Sequence, residues 1–309
     1  MKIYHGIEDF KALPYAVVTS GTFDGVHLGH QKILSRLQEI AKMNQGETVL
    51  ITFWPHPRLV LYPDQDELRL LNTFEEKADL LRDQGVDHLL RIPFTKAFSK
   101  FSSKEFVQTV LVQAIGTKKL VIGYDHRFGR NREGSFEHLK ENSNAYGFEV
   151  EEIPKHEVDR VGVSSSKIRE ALATGDVKAG SELLGQDYSL RGRVINGDKI
   201  GRMLGYPTAN IQIDSPYKLI PKDGAYAVYV KVGTAIMKGM LNIGYRPTVG
   251  GKSKTVEVHI FDFENDIYGE SITVFFHQMI RNELHFADVD ELRNQLKKDK
   301  KQALNLLAS

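Results

Sequence analysis

His27 and His30 stand three residues apart, with Gly29 between them, where an apolar pattern of helical period begins. Side chains at that spacing share one side of a helix's first turn. A helix N-terminus offers unpaired N–H groups and partial positive charge to phosphate. A glycine there lets the phosphate come close to the backbone. Imidazole donors can stabilise the charge that grows on a pentavalent α-phosphorus and on departing pyrophosphate. The chemistry that suits this pattern is nucleotidylyl transfer. H-x-G-H by itself also fits two surface histidines beside a helix cap. The full segment Gly21-Thr22-Phe23-Asp24-Gly25-Val26-His27-Leu28-Gly29-His30 follows an apolar strand pattern and opens a helix. That setting favours the phosphate reading, with Gly21, Phe23, Asp24 and Gly29 beside the ligand.

Three more segments of the first half carry suitable groups. Ser165 and Ser166 precede a helical pattern whose first turn holds Lys167 and Arg169. Hydroxyls, N–H groups and cations there form a second phosphate clamp, or an ordinary capped helix with exposed cations. Asp125, His126 and Arg127 leave a strand pattern at Gly123 and suit a nucleotide, or a plain strand-end turn. His56 and Pro57, in Phe53-Trp54-Pro55-His56-Pro57, suit an aromatic ligand or a structural turn.

The second half holds a different set. Gly197, Gly201 and Gly205 lead into Tyr206-Pro207-Thr208-Ala209-Asn210, a loop that can lie close to a ligand. Thr208 and Asn210 alternate to one face of a strand, and their oxygens suit Mg²⁺. A polar edge strand is the plain alternative. In Val256-Glu257-Val258-His259, Glu257 shares a face with His259, and a carboxylate there can take a proton from a hydroxyl. Whether that face opens outward or inward depends on barrel curvature. Arg281, Glu283 and Phe286 follow the last strand pattern; the arginine suits phosphate and the ring a planar ligand. Gly250-Gly251-Lys252-Ser253 echoes a P-loop, but position 246 is Arg where that loop needs Gly.

These groups need elements to hold them. Strand patterns at 16–19, 49–53, 88–92 and 120–123 alternate with apolar helix faces such as Ile33, Leu34, Leu37, Ile40 and Ala41. Two later faces are Phe74, Ala78 and Leu81, then Phe106, Val107, Val110, Leu111 and Ala114. The alternation predicts an α/β Rossmann-like domain, a parallel sheet with helices on both faces, over residues 1–185. Short strand patterns at 190–195, 225–232, 236–241, 256–260 and 272–276 predict a small antiparallel barrel or sandwich over 186–309. A helix from 288 to about 307 closes the chain, its Lys297–Lys301 run read as a solvated face.

Composition narrows the classes. The 309 residues allow two ordinary domains, and the net charge of +1 sets up no field for nucleic acid or membrane. The absence of cysteine excludes disulfides and thiolate chemistry. With no signal-like N-terminus and no apolar run of membrane length, the expectation is a cytoplasmic protein, monomeric or weakly homo-oligomeric.

Taken with their order, the four N-terminal segments, the Gly-rich loop, Pro207–Asn210, Val256–His259 and Tyr268-Gly269 resemble the bacterial bifunctional riboflavin kinase/FAD synthetases. The likeness spans essentially the whole chain. It implies a nucleotidylyltransferase domain that transfers AMP from ATP to FMN, followed by a riboflavin kinase barrel. It carries phosphate binding onto His27, His30, Ser165, Ser166 and Arg169. It implies ATP phosphate and Mg²⁺ near Thr208 and Asn210, and Glu257 as base for the riboflavin 5′-hydroxyl. The implied substrates are riboflavin, FMN and ATP, with no tightly bound organic cofactor. His126, Ser166 and Gln186 depart from the family's usual Phe, Thr and Arg. A nucleotidylyltransferase acting on another phosphate acceptor, and a flavin or nucleotide sensor without turnover, are the competing readings.

Overall fold

The computed structural model describes residues 1–63, 68–124, 126–154, 162–197, 200–248 and 251–308. The chain divides into two compact units, Met1–Ser164 and Ser165–Ser309.

The first unit is built on a six-stranded sheet: β1 (Lys2–Tyr4), β2 (Ala16–Ser20), β3 (Glu47–Trp54), β4 (His88–Pro93), β5 (Thr117–Gly123) and β6 (Glu149–Ile153). Their order is β1-β4-β3-β2-β5-β6, and every neighbouring pair is parallel. Alternate residues bury opposite faces. Val18, Ile51, Leu90 and Ile122 enter one core, and Val17, Leu50, Leu89 and Val121 the other. The edge strands β1 and β6 escaped the sequence reading. One is three residues long, and the other, Glu149-Val150-Glu151-Glu152-Ile153, carries too much charge to read as core.

Helix α1 (Leu28–Met43) buries the predicted face Ile33, Leu34, Leu37, Ile40 and Ala41. α2 (Pro57–Leu61) is a short turn after β3, and α3 (Phe74–Asp83) starts in a capping box between Thr73 and Glu76. The helix expected near Phe106 is α-helical over Ser103–Phe106 and widens to π-helical turns over Val107–Ile115. There the Thr117 hydroxyl takes the Leu111 carbonyl at 2.7 Å. The succession of strands reverses between β2 and β5, which makes their carboxyl ends the place for a ligand.

The second unit holds a closed barrel of β7 (Ser189–Ile195), β8 (Ala209–Gln212), β9 (Gly224–Val232), β10 (Ala235–Thr248), β11 (Gly251–Ile260) and β12 (Ser271–Asn282). Its order is β10-β11-β8-β7-β12-β9, antiparallel throughout. Closure leaves no sheet edge exposed. Helices Ser165–Thr174 and Val177–Leu184 belong to this unit. The second packs on β12, and the Leu172 carbonyl accepts the Lys222 N–H at 3.1 Å. The first begins at Ser165, so Ser165 and Ser166 lie inside its first turn instead of ahead of it.

The closing helix, Val289–Leu306, is capped by Asp288. Its lysine run is less solvated than its charge suggested. Asp299 is 2% exposed within it, and Lys300 lies over the Phe261 ring at 5.3 Å. Helical spacing turns Leu296, Asp299 and Ala303 toward the barrel, while Lys297, Lys298 and Lys301 stay outside.

Candidate active sites

In the first unit the loop that leads to the two histidines runs from the carboxyl end of β2 to the start of α1. Phe23, Gly25 and Val26 have φ of 46°, 91° and 43°. For the two non-glycine residues this left-handed backbone costs on the order of 1–3 kcal/mol each and persists only where the surroundings fix it. Asp24, 2% exposed, accepts the backbone N–H groups of Leu71 at 3.0 Å and Asn72 at 3.3 Å. Lys77 on α3, also 2% exposed, donates to the Thr22 carbonyl at 2.7 Å and to Thr52 Oγ1 at 3.4 Å. Gly21 is fastened by its N–H to the Ile51 carbonyl at 3.0 Å.

His27 is the N-cap of α1, and its Nδ1 accepts the His30 N–H at 3.3 Å. That bond places the neutral ring's proton on Nε2. The two imidazoles stack with centroids 3.7 Å apart at 12°, and the Phe23 ring closes on His30 at 4.6 Å. Burial, then the charges of His27 and Lys77, holds His30 well below its ordinary value of 6.5. It is therefore a neutral ring at pH 7, and its Nδ1 is buried without a hydrogen-bond partner. Gly29 sits in the same turn and is buried.

The carboxyl end of β5 adjoins. His126 Nε2 lies 3.2 Å from Ser20 Oγ, which ties the ends of β2 and β5 together. Arg127 is 3.8 Å from the Glu137 carboxylate, and Asp125 lies outside the described residues. His56 caps α2 by accepting the Arg58 N–H at 3.2 Å, with Pro57 as the first residue of that helix. Ser165, Ser166 and Arg169 sit on the first helix of the second unit, Ser166 exposed.

In the barrel, register gathers the second set. Glu257 on β11 pairs with Asn210 on β8 and with Asn242 on β10. Directly paired residues share a face, so the carboxylate stands between two amides. Val256 and Val258 are buried in the core, which resolves the face left open by sequence: Glu257 faces a cavity. Thr208 donates to Glu257 Oε2 at 3.3 Å. Asn210 packs so closely on Gly197 that a Cβ there would meet its amide. His259 donates from Nδ1 to the Pro207 carbonyl at 2.7 Å, which fixes the turn before Thr208; burial lowers its pKa.

Thr208 is the seam between two cavities. One, about 340 Å³, is lined by Pro207, Thr208, Ile260, Phe263 and Tyr268. The other, about 240 Å³, is lined by Gly201, Asn242, Glu257, Arg281, Glu283 and Phe286 among others. Gly205 turns the chain into Pro207 with φ 82°. Arg281 is committed to Asp299 by a 2.8 Å ion pair and lies 5.8 Å from the Phe286 ring centroid. A Cβ at Gly244 would meet the Glu283 carboxylate, which accepts the Tyr245 N–H at 3.3 Å.

Lys77, which contacts the histidine loop, and Asn242 and Asp299, which line the Glu257 cavity, escaped the sequence reading. Lys77 did carry a signal: it falls on the apolar side of a helix, one residue before Ala78 and three after Phe74. Among the described residues no group of three or more His, Cys, Asp or Glu is placed to hold a metal. The Thr208 hydroxyl and the Asn210 amide supply the kind of oxygen set that suits Mg²⁺ bound mainly through substrate phosphates.

The family profile described as FAD synthetase matches residues 10–167, and that described as riboflavin kinase matches residues 184–307. The bifunctional riboflavin kinase/FMN adenylyltransferase of Buchnera aphidicola subsp. Schizaphis graminum is 39% identical, covering 97% of this chain and 96% of its own. The protein of that name from Escherichia coli K12 is 36% identical at the same coverage. A crystal structure described as a macrolide-efflux protein from Streptococcus pneumoniae matches with TM-score 0.87 at 32% identity, over 98% of both chains. Here, no helix among the described residues is long and apolar enough to cross a membrane.

Proposed function

The chain belongs to the bifunctional riboflavin kinase/FMN adenylyltransferase family, and from that membership we propose how its two sites share the work. It is an enzyme of flavin cofactor biosynthesis, with an N-terminal FMN adenylyltransferase module and a C-terminal riboflavin kinase module, and ATP is its co-substrate. By function we divide it at Gly185 and Gln186, with Ser165, Ser166 and Arg169 as phosphate-binding groups of the adenylylation.

In the kinase step, riboflavin occupies the cavity beside Phe286 and ATP the neighbouring one, so the 5′-hydroxyl meets the γ-phosphate near Thr208. Glu257 takes the hydroxyl proton as the oxygen attacks. Thr208 and Asn210 would hold Mg²⁺, which supplies neutralisation of phosphate charge. The contact of Thr208 with Glu257 at the seam of the two cavities is the observation that carries this assignment.

In the second step the FMN phosphate is already anionic, so no strong base is needed. Its oxygen attacks the α-phosphorus of ATP, the bond to pyrophosphate breaks, and His27 and His30 donate to the charge on the phosphates. The stacked, neutral histidine pair at the reversal point of the sheet supports this. Gly21, Phe23, Asp24 and Gly29 shape that loop, while His56, Pro57, Asp125 and Arg127 are assigned to flavin or nucleotide.

A net charge of +1 and the absence of cysteine support a cytoplasmic protein without nucleic-acid or membrane partners, monomeric or weakly oligomeric. The deciding experiment supplies riboflavin and MgATP to the whole chain and separates products by chromatography. FMN, then FAD with pyrophosphate, is expected. Bound flavin without ATP turnover would support a sensor, and adenylylation of pantetheine phosphate in place of FMN would move the acceptor.

A further inference from the structure

We propose that Lys77 is a positioning residue for adenylyl transfer, its buried ammonium pinning the Thr22 carbonyl so that the loop after β2 presents His27 and His30 to the phosphates. This rests on the reading of the first unit's site as the adenylylating one.

The geometry is a two-point tether. Residues 22 and 24 of the loop are tied to the run 71–77: Thr22 through Lys77, and Asp24 through the N–H groups of Leu71 and Asn72. Between and beyond those ties lie the three positive-φ residues Phe23, Gly25 and Val26, which relax if the ties are released. Thr52 Oγ1 donates to the same Thr22 carbonyl at 3.3 Å and accepts from Lys77, so the lysine closes a small buried network. Trp54 covers it, with the ring centroid 5.3 Å from Nζ. A lysine on an ordinary surface helix snorkels to water, whereas this one is directed beneath the reacting loop.

Its charge is held at some cost. Burial lowers the Lys77 pKa to about 8, with the Asp24 charge opposing the fall. The titratable groups that face it are Asp24 from the loop and His30 from α1. The ammonium in turn favours the neutral form of His30. When pH rises through about 8, the ammonium is lost, the Thr22 tether weakens and the buried Asp24 carboxylate loses its compensation. FAD formation then falls on its alkaline side, while FMN formation by the other module, whose two cavities have no lysine among their described lining residues, does not share that limb.

The test follows FMN-to-FAD and riboflavin-to-FMN rates in the whole chain from about pH 6 to 10, for wild type, Lys77→Gln and Lys77→Arg. Wild type should lose FAD formation above about pH 8 and keep FMN formation. Lys77→Gln should lower kcat for FAD roughly tenfold or more, with the KM for ATP changed less than about threefold, because Lys77 touches loop and not substrate. Lys77→Arg, whose guanidinium does not titrate in this range, should lose the alkaline limb. A Lys77→Gln chain that forms FAD with wild-type kcat and pH profile overturns the proposal. So does a wild-type profile flat through about pH 9, a measurement that depends on no variant's folding. A wild type that makes FMN and no FAD at any pH would overturn the module assignment as well.

Discussion

His27 is buried, stacked on His30 and bound at Nδ1 by the start of α1, so in the neutral ring the donor is Nε2–H. In the proposed chemistry, replacing either imidazole removes a donor to charge that exists mainly in the transition state. His27→Ala and His30→Ala should each cut FAD formation by roughly 10²-fold or more while sparing FMN formation. Rates of the two steps, measured separately, check this; retained FAD synthesis in both variants would remove the histidines from the chemistry. Because His30 is held below 6.5, the acid limb of FAD formation should lie below the ordinary histidine range. In the other module, Glu257→Ala should abolish FMN formation and leave FMN-to-FAD conversion intact; loss of the second step alone would mean that the modules are exchanged. Both histidines and Glu257 are legible in the sequence because each sits in a pattern with a local geometric consequence, a helix first turn or strand alternation. Lys77 is not, because its partners Thr22, Asp24 and Thr52 are 25 to 55 positions away and only the sheet brings them together.

At the scale of elements, the closing helix does more than cover the barrel. Leu292, Leu296 and Asp299 form one wall of the Glu257 cavity, and Asp299 takes Arg281 through Nε and Nη2 and Gln295 through its amide. Asp299→Asn keeps the shape and removes the charge from a pair that is mostly buried, with side-chain exposures of 16% and 3%. The loss should be roughly 1.5–3 kcal/mol, the range for hydrogen bonds to charged groups, and appear as a lower melting temperature. The KM for riboflavin should rise more than that for ATP, since this helix does not line the Pro207–Tyr268 cavity. An equal rise in both would show that the helix supports the barrel as a whole. The helix follows from its period, but a buried carboxylate inside a lysine-rich run reads as solvent-facing until the barrel shows which side faces in. The two edge strands β1 and β6 were hidden for the matching reason: an edge needs little apolar sequence of its own.

For the molecule as a whole, the order of strands and helices fixed the two architectures, because period 2 and period 3.6 are written in local sequence. Barrel closure and the Asn210–Glu257–Asn242 register were not, because strand pairing depends on which long-range contacts win. The division of labour has a further consequence. Each unit has its own core, the histidine pair lies in one and Glu257 in the other, and the proposed shared intermediate, FMN, is a soluble dianion. A chain disabled at His27 should therefore still make FMN, and a chain disabled at Glu257 should still turn FMN into FAD. An equimolar mixture of His27→Ala and Glu257→Ala chains should then convert riboflavin to FAD, which neither does alone. FMN must build up before the second chain is supplied, so FAD should appear after a lag that shortens as total protein is raised. If both variants perform their own half and the mixture still yields no FAD, FMN must pass within one chain, and the two units act as a single catalyst.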